Sequence, residues 1–272
     1  MSNVRKYPHA PVALAVLEIK HPTSDFLSRG DLAGIKQKLE HVAPLQKAED
    51  VAEFQMLVNG GNPPFSSSRN ITVHRFSARD KRTSITYGNE SIVVETTDYV
   101  NWTWFRDLAE IAVATRQEIA PVDGLERVGL RYIDEIRANP SGPVNWADWV
   151  SPALLAPEFG GSIKSLKPMQ QQAVVQYATA LEGDTLTLRY GAVNGPPTVM
   201  GSPNLVRANV PEPGPYFLID TDSAWTLPPG VSVPELSLDA VVEIANRLHF
   251  PAETIFEELI SDKLRLEVLS NA

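Results

Sequence analysis

Apolar runs of strand and helix length succeed one another in one order, twice, within 272 residues, and nothing else in the chain constrains its fold as much. In the first pass an extended opening, Pro8-His9-Ala10-Pro11, leads into a mostly apolar run over 12–20. His21-Pro22 stops it, because a residue before proline is pushed out of the helical region and proline cannot continue a ladder. A helix is predicted over 31–41, where Leu32, Ile35 and Leu39 recur at helical spacing behind Asp31 as cap. Strand-like runs follow at 53–58, 71–78, 83–87 and 91–97. A loop signal at 59–64 (NGGNPP) separates the first two, and Gly88-Asn89 turns between the last two. Asn101 then opens the longest predicted helix, to about Ile119, with Trp104, Leu108, Ile111 and Thr115 on one face and Trp102, Arg106 and Glu110 off it.

The second pass repeats the order. A strand over 127–137 ends at Asn139-Pro140, and a short helix over 145–155 is interrupted near Pro152. A hairpin of 169–182 and 185–190 turns at Gly183-Asp184. A proline-rich loop over 195–215 leads to a strand at 216–221. A helix over 238–248, capped by Ser237 or Asp239, precedes a last helix that Pro251 starts.

Two local matches accompany the repeated order. AVLEIKHP at 15–22 resembles IDEIRANP at 133–140, and VETTDY at 94–99 resembles IDTDSA at 219–224. The expected fold is therefore α+β, with two pseudo-repeated β-α-β-meander-α units, residues 1–123 and 124–272, meeting at a seam over 121–126. The second carries the proline-rich loop over 195–215 and an extra C-terminal helix, and one continuous domain is the alternative. Joined edge to edge they give a curved antiparallel sheet backed by the long helices, with its concave face left as the binding surface.

Composition removes several classes of function. No cysteine is present, so disulfides, thiolate nucleophiles and cysteine-held metals are excluded. A net charge of −9 disfavours nucleic acid and anionic lipid as partners. The exception is residues 69–82 (RNITVHRFSARDKR), where five basic residues, Arg75 among them, and His74 stand against Asp80 alone. This segment reads as a solvated hairpin, or as a patch for a phosphate, nucleic acid or an acidic partner. The amino terminus lacks the apolar core of a signal peptide and no run reaches membrane-spanning length, so a cytoplasmic protein is expected. Phosphate-loop, dinucleotide and nucleophile-elbow motifs are absent, the five histidines are scattered, and no cofactor is expected.

Three constellations remain. Period-two alternation puts Arg131, Ile133, Glu135 and Arg137 on one face of the central strand and Tyr132, Asp134 and Ile136 on the other. The charged set reads as a cross-strand ion-pair network or as an anion-recognising strip. Asp220 and Asp222 share a face, which suits either a turn or one bridged divalent cation. Among the tryptophans, Trp146 and Trp149 read as core. Trp102 and Trp225 are the candidates for partner contact.

An opening Y-P-x-A-P-V-x-x-A-V-x-E-I at 7–19 and a central G-L-R-Y-I-D-x-I at 129–136 resemble a sporadically distributed family of uncharacterised bacterial and archaeal proteins. The resemblance spans nearly the whole chain. It implies an association with mobile elements, toxin–antitoxin pairs or defence, and it supplies no catalytic residues. Together these features point to a non-enzymatic binding or regulatory protein with a protein partner or a second copy of itself. One alternative is a nucleotide- or small-molecule-binding enzyme or sensor with a pocket on the concave face. The other is nucleic-acid binding through residues 69–82.

Overall fold

A computed structural model describes residues 7–57, 65–137, 144–159, 163, 165–166 and 168–270, with backbone alone for 52–57 and 65–70. Among the described residues the fold is mixed α+β, with four helices and one antiparallel sheet of nine strands. Strand β1 (Val12–Lys20) is followed by α1 (Arg29–Lys38), then β2 (Leu45–Leu57), β3 (Phe65–Ser77), β4 (Thr83–Tyr87), β5 (Ser91–Thr96) and α2 (Trp102–Ile119). The chain continues through β6 (Arg127–Ile136), β7 (Ala173–Ala178), β8 (Asp184–Gly195), β9 (Gly214–Thr226), α3 (Leu238–Leu259) and the short α4 (Asp262–Leu264). Across the sheet the order is β2-β3-β4-β5-β1-β6-β9-β8-β7. The first strand of each pass thus lies in the middle, beside the other.

The expected boundaries hold where local chemistry sets them. β1 alternates half-buried and buried residues along its whole length, and Asn101 caps α2 by accepting from the Trp104 amide at 2.8 Å. Four expectations are corrected. Ser28, not Asp31, caps α1; Asp31 instead completes a capping box by accepting from the Ser28 amide at 2.8 Å. The buried face of α2 is Phe105, Leu108, Ala109, Ala112, Val113, Thr115 and Arg116, so Leu108 and Thr115 are buried as expected while Trp104 and Ile111 are only partly covered.

The predicted helix over 145–155 is two single turns, Trp146–Asp148 and Pro152–Leu154, since Pro152 cannot donate inside a helix. Finally, Pro251 starts no helix. It lies inside α3, where Val241, Ile244, Ala245, Leu248 and Ala252 are buried on both sides of it, and this continuous apolar stripe outweighs one missing backbone hydrogen bond. The loop signal at 59–64 and the Asn139-Pro140 strand end lie outside the described residues.

Helices α2 and α3 contact each other, and they pack on β5 and on β6 and β9 respectively. One core cluster joins Leu17, Ile19, Ile92, Val94 and Leu130 of the strands to Ile35, Phe105, Ala112 and Leu248 of the helices. A second gathers Ile136, Phe217 and Ile219 with Ile260, Leu264 and Leu269. Arg247 of α3 grips Asp184, the first residue of β8, through two hydrogen bonds of 2.8 and 3.1 Å, fixing the helix to the sheet.

Two glycines have specific backbone roles. Gly183 takes a φ of 86° in the β7–β8 turn, a region that side chains disfavour. Gly191 in β8 lets the segment before β7 approach: a Cβ there would lie 1.9 Å from the Gln171 carbonyl oxygen. Gly191→Ala is therefore expected to destabilise the fold by about 1–3 kcal/mol through overpacking against backbone. Urea unfolding checks it, and an unchanged midpoint would show that the segment yields freely.

Candidate functional site

The sheet face away from α2 and α3 carries the charged residues singled out in the sequence, and each has found an opposite charge. Arg131 donates to Asp220 through Nε at 2.8 Å and a terminal nitrogen at 2.7 Å, in the bidentate geometry that suits guanidinium and carboxylate. Arg189 lies 3.6 Å from both Asp220 and Asp222. The charge a bridging cation would bring is thus already supplied by two guanidinium groups. Among the described residues no cluster of three or more metal-ligating side chains occurs.

Glu135 is 4% exposed and accepts from Arg207 at 2.9 Å, from the Val199 amide at 3.0 Å and from Arg137 at 3.4 Å. Arg75 donates to Ser84 and Glu95 at 2.6 Å each, and to Glu49 at 3.3 Å. The charged residues of the strip are thus engaged in ion pairs with one another and with the loop. His74, next to Arg75 in β3, projects to the opposite face, and burial lowers its pKa. The basic segment 69–82 accordingly divides between two faces.

The proline-rich loop closes part of this same face. Val199 and Arg207 engage Glu135, the Val206 amide donates to the Lys81 carbonyl at 2.7 Å, and Thr97 donates to the Val206 carbonyl at 2.6 Å. Lys47 reaches Asn204 at 3.0 Å. The loop therefore runs from the β8–β9 end to the β3–β4 turn, and the expectation of an uncovered face fails along that path.

A cleft lies on the other side, where α2, α3 and β6 meet the strand-entering segment at 7–11. Its internal space is about 140 Å³. Trp102 lies within it, stacked on His249 with ring centroids 4.3 Å apart and planes at 12°. The Trp102 indole donates to Asn246 at 2.8 Å, which fixes the ring. Tyr132 contacts His249 Nδ1 through its hydroxyl at 3.2 Å and meets the Tyr99 ring edge-on at 5.4 Å. Burial, with Tyr99 beside it, holds the Tyr132 phenol well above its usual pKa. His249 Nε2 faces Glu253 at 3.4 Å. Tyr7 donates to both carboxylate oxygens of Glu257, at 3.0 and 2.9 Å, and Arg265 donates to the same carboxylate at 3.2 Å.

At the base of this cleft lies Asp134 of β6, 4% exposed and, among the described residues, without a hydrogen bond. Burial, reinforced by the Asp220 carboxylate across the sheet, pushes its pKa up to about 8. At neutral pH it is a protonated acid, able to donate one hydrogen bond and accept another.

The placement of the tryptophans divides the two candidates. Trp102 is half-buried and forms a cleft wall, so its outward face is turned to a cavity rather than a flat surface. Trp225 is 9% exposed and packs in the main core. Sequence reasoning passed over Asp134, Tyr132, Tyr99 and His249, which come together only in three dimensions. The one local signal was an aspartate at the centre of a buried-strand face, between Tyr132 and Ile136. No family model matches the chain, and no curated protein matches it. Among the described residues no helix is long and apolar enough to cross a membrane.

Proposed function

We propose that the protein is a non-enzymatic ligand-binding regulator, with the cleft of Trp102, Tyr132, Asp134 and His249 as its binding site. The observation that carries this is the unpartnered acid of Asp134 at the base of an aromatic-walled cavity. A buried acid that lines a cavity offers the single directional polar contact by which an apolar-walled pocket orients a ligand.

We also read the chain as two duplicated units, their joined sheet backed by α2 and α3, with β1 and β6, the first strand of each unit, paired at its centre. The resemblance to a defence-associated family fits a sensor acting through a partner, and the cleft is the sensing end of that reading.

The test is a thermal-shift series with single-ring compounds of positive, neutral and negative charge at millimolar concentration. At least one is expected to raise the melting temperature of the protein, and Trp102→Ala is expected to remove the shift while circular dichroism stays unchanged. A shift retained in full by Trp102→Ala would place binding elsewhere and end the assignment. Saturation at a hundred times Kd corresponds to about 2.7 kcal/mol, readily measured.

A further inference from the structure

We infer that the outer edge of β7 pairs with the same edge of a second copy of this chain, antiparallel and centred on Gln176, so that the two sheets join into one. The inference does not depend on the cleft.

β2 and β7 are the two ends of the sheet. An edge strand presents a row of unpaired amides and carbonyls, and chains usually blunt it with charge, proline or a bulge. β2 is blunted in this way, with Lys47, Glu49, Asp50 and Glu53 among its residues. β7 is not. It reads AVVQYA, pairs with β8 without a register shift, and lies in a run over 169–181 that holds neither a charge nor a proline. Val174 is 68% exposed and Tyr177 45%, and Met169 and Leu181 at the two ends of the run are exposed as well. Copies of a chain with net charge −9 repel one another, and an uncharged, apolar edge is where they can approach at least cost.

The ladder shows which groups face outward. The Gln171 amide donates to the Ala192 carbonyl at 3.1 Å and the Thr179 amide to that of Asp184 at 3.4 Å, each directly across the β7–β8 register. Bonded residues alternate along an antiparallel strand. Ala173, Val175 and Tyr177 therefore bond towards β8, while Val174, Gln176 and Ala178 turn their amides and carbonyls outward. Among the described residues no backbone group pairs with those three.

Self-complementarity selects a second copy as the occupant. A twofold axis perpendicular to the sheet keeps each side chain on its own face, so the axis must pass through a residue. Centred on Gln176, it sets that residue opposite itself and Val174 opposite Ala178 of the partner subunit. All three outward-facing residues are then in bonded pairs. The same register places Val175 against Tyr177 of the partner subunit, twice, in the closer non-bonded pairs that favour an aromatic beside a β-branched side chain. A centre at Val175 would instead pair Ala178 with Gln172, which lies outside the strand.

Sedimentation velocity of the full chain at micromolar concentrations is expected to show a dimer. Gln176→Pro removes only an outward amide, and it is expected to raise the dimer dissociation constant at least about ten-fold, because both hydrogen bonds on the axis are lost. Gln176→Lys sets two ammonium groups face to face and is expected to weaken the dimer as well, whereas Val51→Lys on β2 is expected to leave it unchanged. Circular dichroism of the three variants is expected to match the wild type; should Gln176→Pro not fold, Gln176→Lys still decides. The register has its own readout, because the chain has no cysteine. On oxidation with diamide, Gln176→Cys is expected to form a disulfide between copies, since Cα atoms of a bonded pair lie about 5.5 Å apart, and Val174→Cys is expected to form none. A monomer at every concentration, or a dimer that Gln176→Lys leaves intact, overturns the inference. So does cross-linking through Val174→Cys in place of Gln176→Cys.

Discussion

Replacing Glu135 by alanine is expected to cost about 3–5 kcal/mol of folding stability and to lower the melting temperature by roughly 10 °C. Glu135 is 4% exposed, and its carboxylate serves three donors, of which Arg207 is itself only 12% exposed in its side chain. Removing the carboxylate leaves a buried guanidinium with its charge uncompensated, which is the expensive half of breaking a buried pair. It also frees Val199, whose amide Glu135 accepts and whose carbonyl takes a second hydrogen bond from Arg207 at 2.8 Å. The consequence beyond stability is local. Trypsin is expected to cut after Arg207 in the variant at a rate at which the wild-type loop stays intact, because the loop loses its main anchor to β6. Removing the stranded charge as well, in Glu135→Ala/Arg207→Met, is expected to recover more than half of the lost stability. Equal melting temperatures for wild type and Glu135→Ala would show that the loop is held by its contacts at Lys81 and Thr97 alone.

That loop shows how far the sequence can be read. Its prolines mark a segment without ladder hydrogen bonds, but nothing local says that Val206 will dock at Lys81, more than a hundred residues away. The edges of β1 and α2 were legible because His21-Pro22 and Asn101 act on their own backbone. β2 begins at Leu45, eight residues before the apolar run that announced it, since four of residues 45–52 are polar and the segment becomes a strand by pairing with β3. Tertiary pairing overrode a weak local signal there. The charged strip in 131–137 was legible in its alternation, and the ion-pair reading of it follows from partners in β8, β9 and the loop. The cleft was not legible. Trp102, Asp134 and His249 belong to three elements, and a period-two pattern can place Asp134 on a face but not reveal a cavity above it.

Asp134 gives the second large effect, and its sign is opposite to that of an ordinary carboxylate. Its pKa is raised to about 8 in the folded protein, against about 3.9 in an unfolded chain. Below pH 4 the group is protonated in both states and contributes no pH dependence. Between pH 4 and 8 the folded state holds a proton that the unfolded state has lost, so each unit of pH costs the folded state up to about 1.4 kcal/mol. The accumulated loss is about 4 kcal/mol at pH 7 and levels off near about 6 kcal/mol above pH 8. The whole protein's profile mixes this with the arginine-paired carboxylates, whose contributions run the other way. The comparison with Asp134→Asn isolates it, because asparagine keeps the shape and hydrogen-bonding capacity of the protonated acid without its ionisation. The two proteins are expected to be similarly stable near pH 4.5, and Asp134→Asn is expected to be several kcal/mol more stable at pH 8 by urea unfolding. A constant difference between the two across that range would mean that Asp134 titrates normally and that the cleft base is wet.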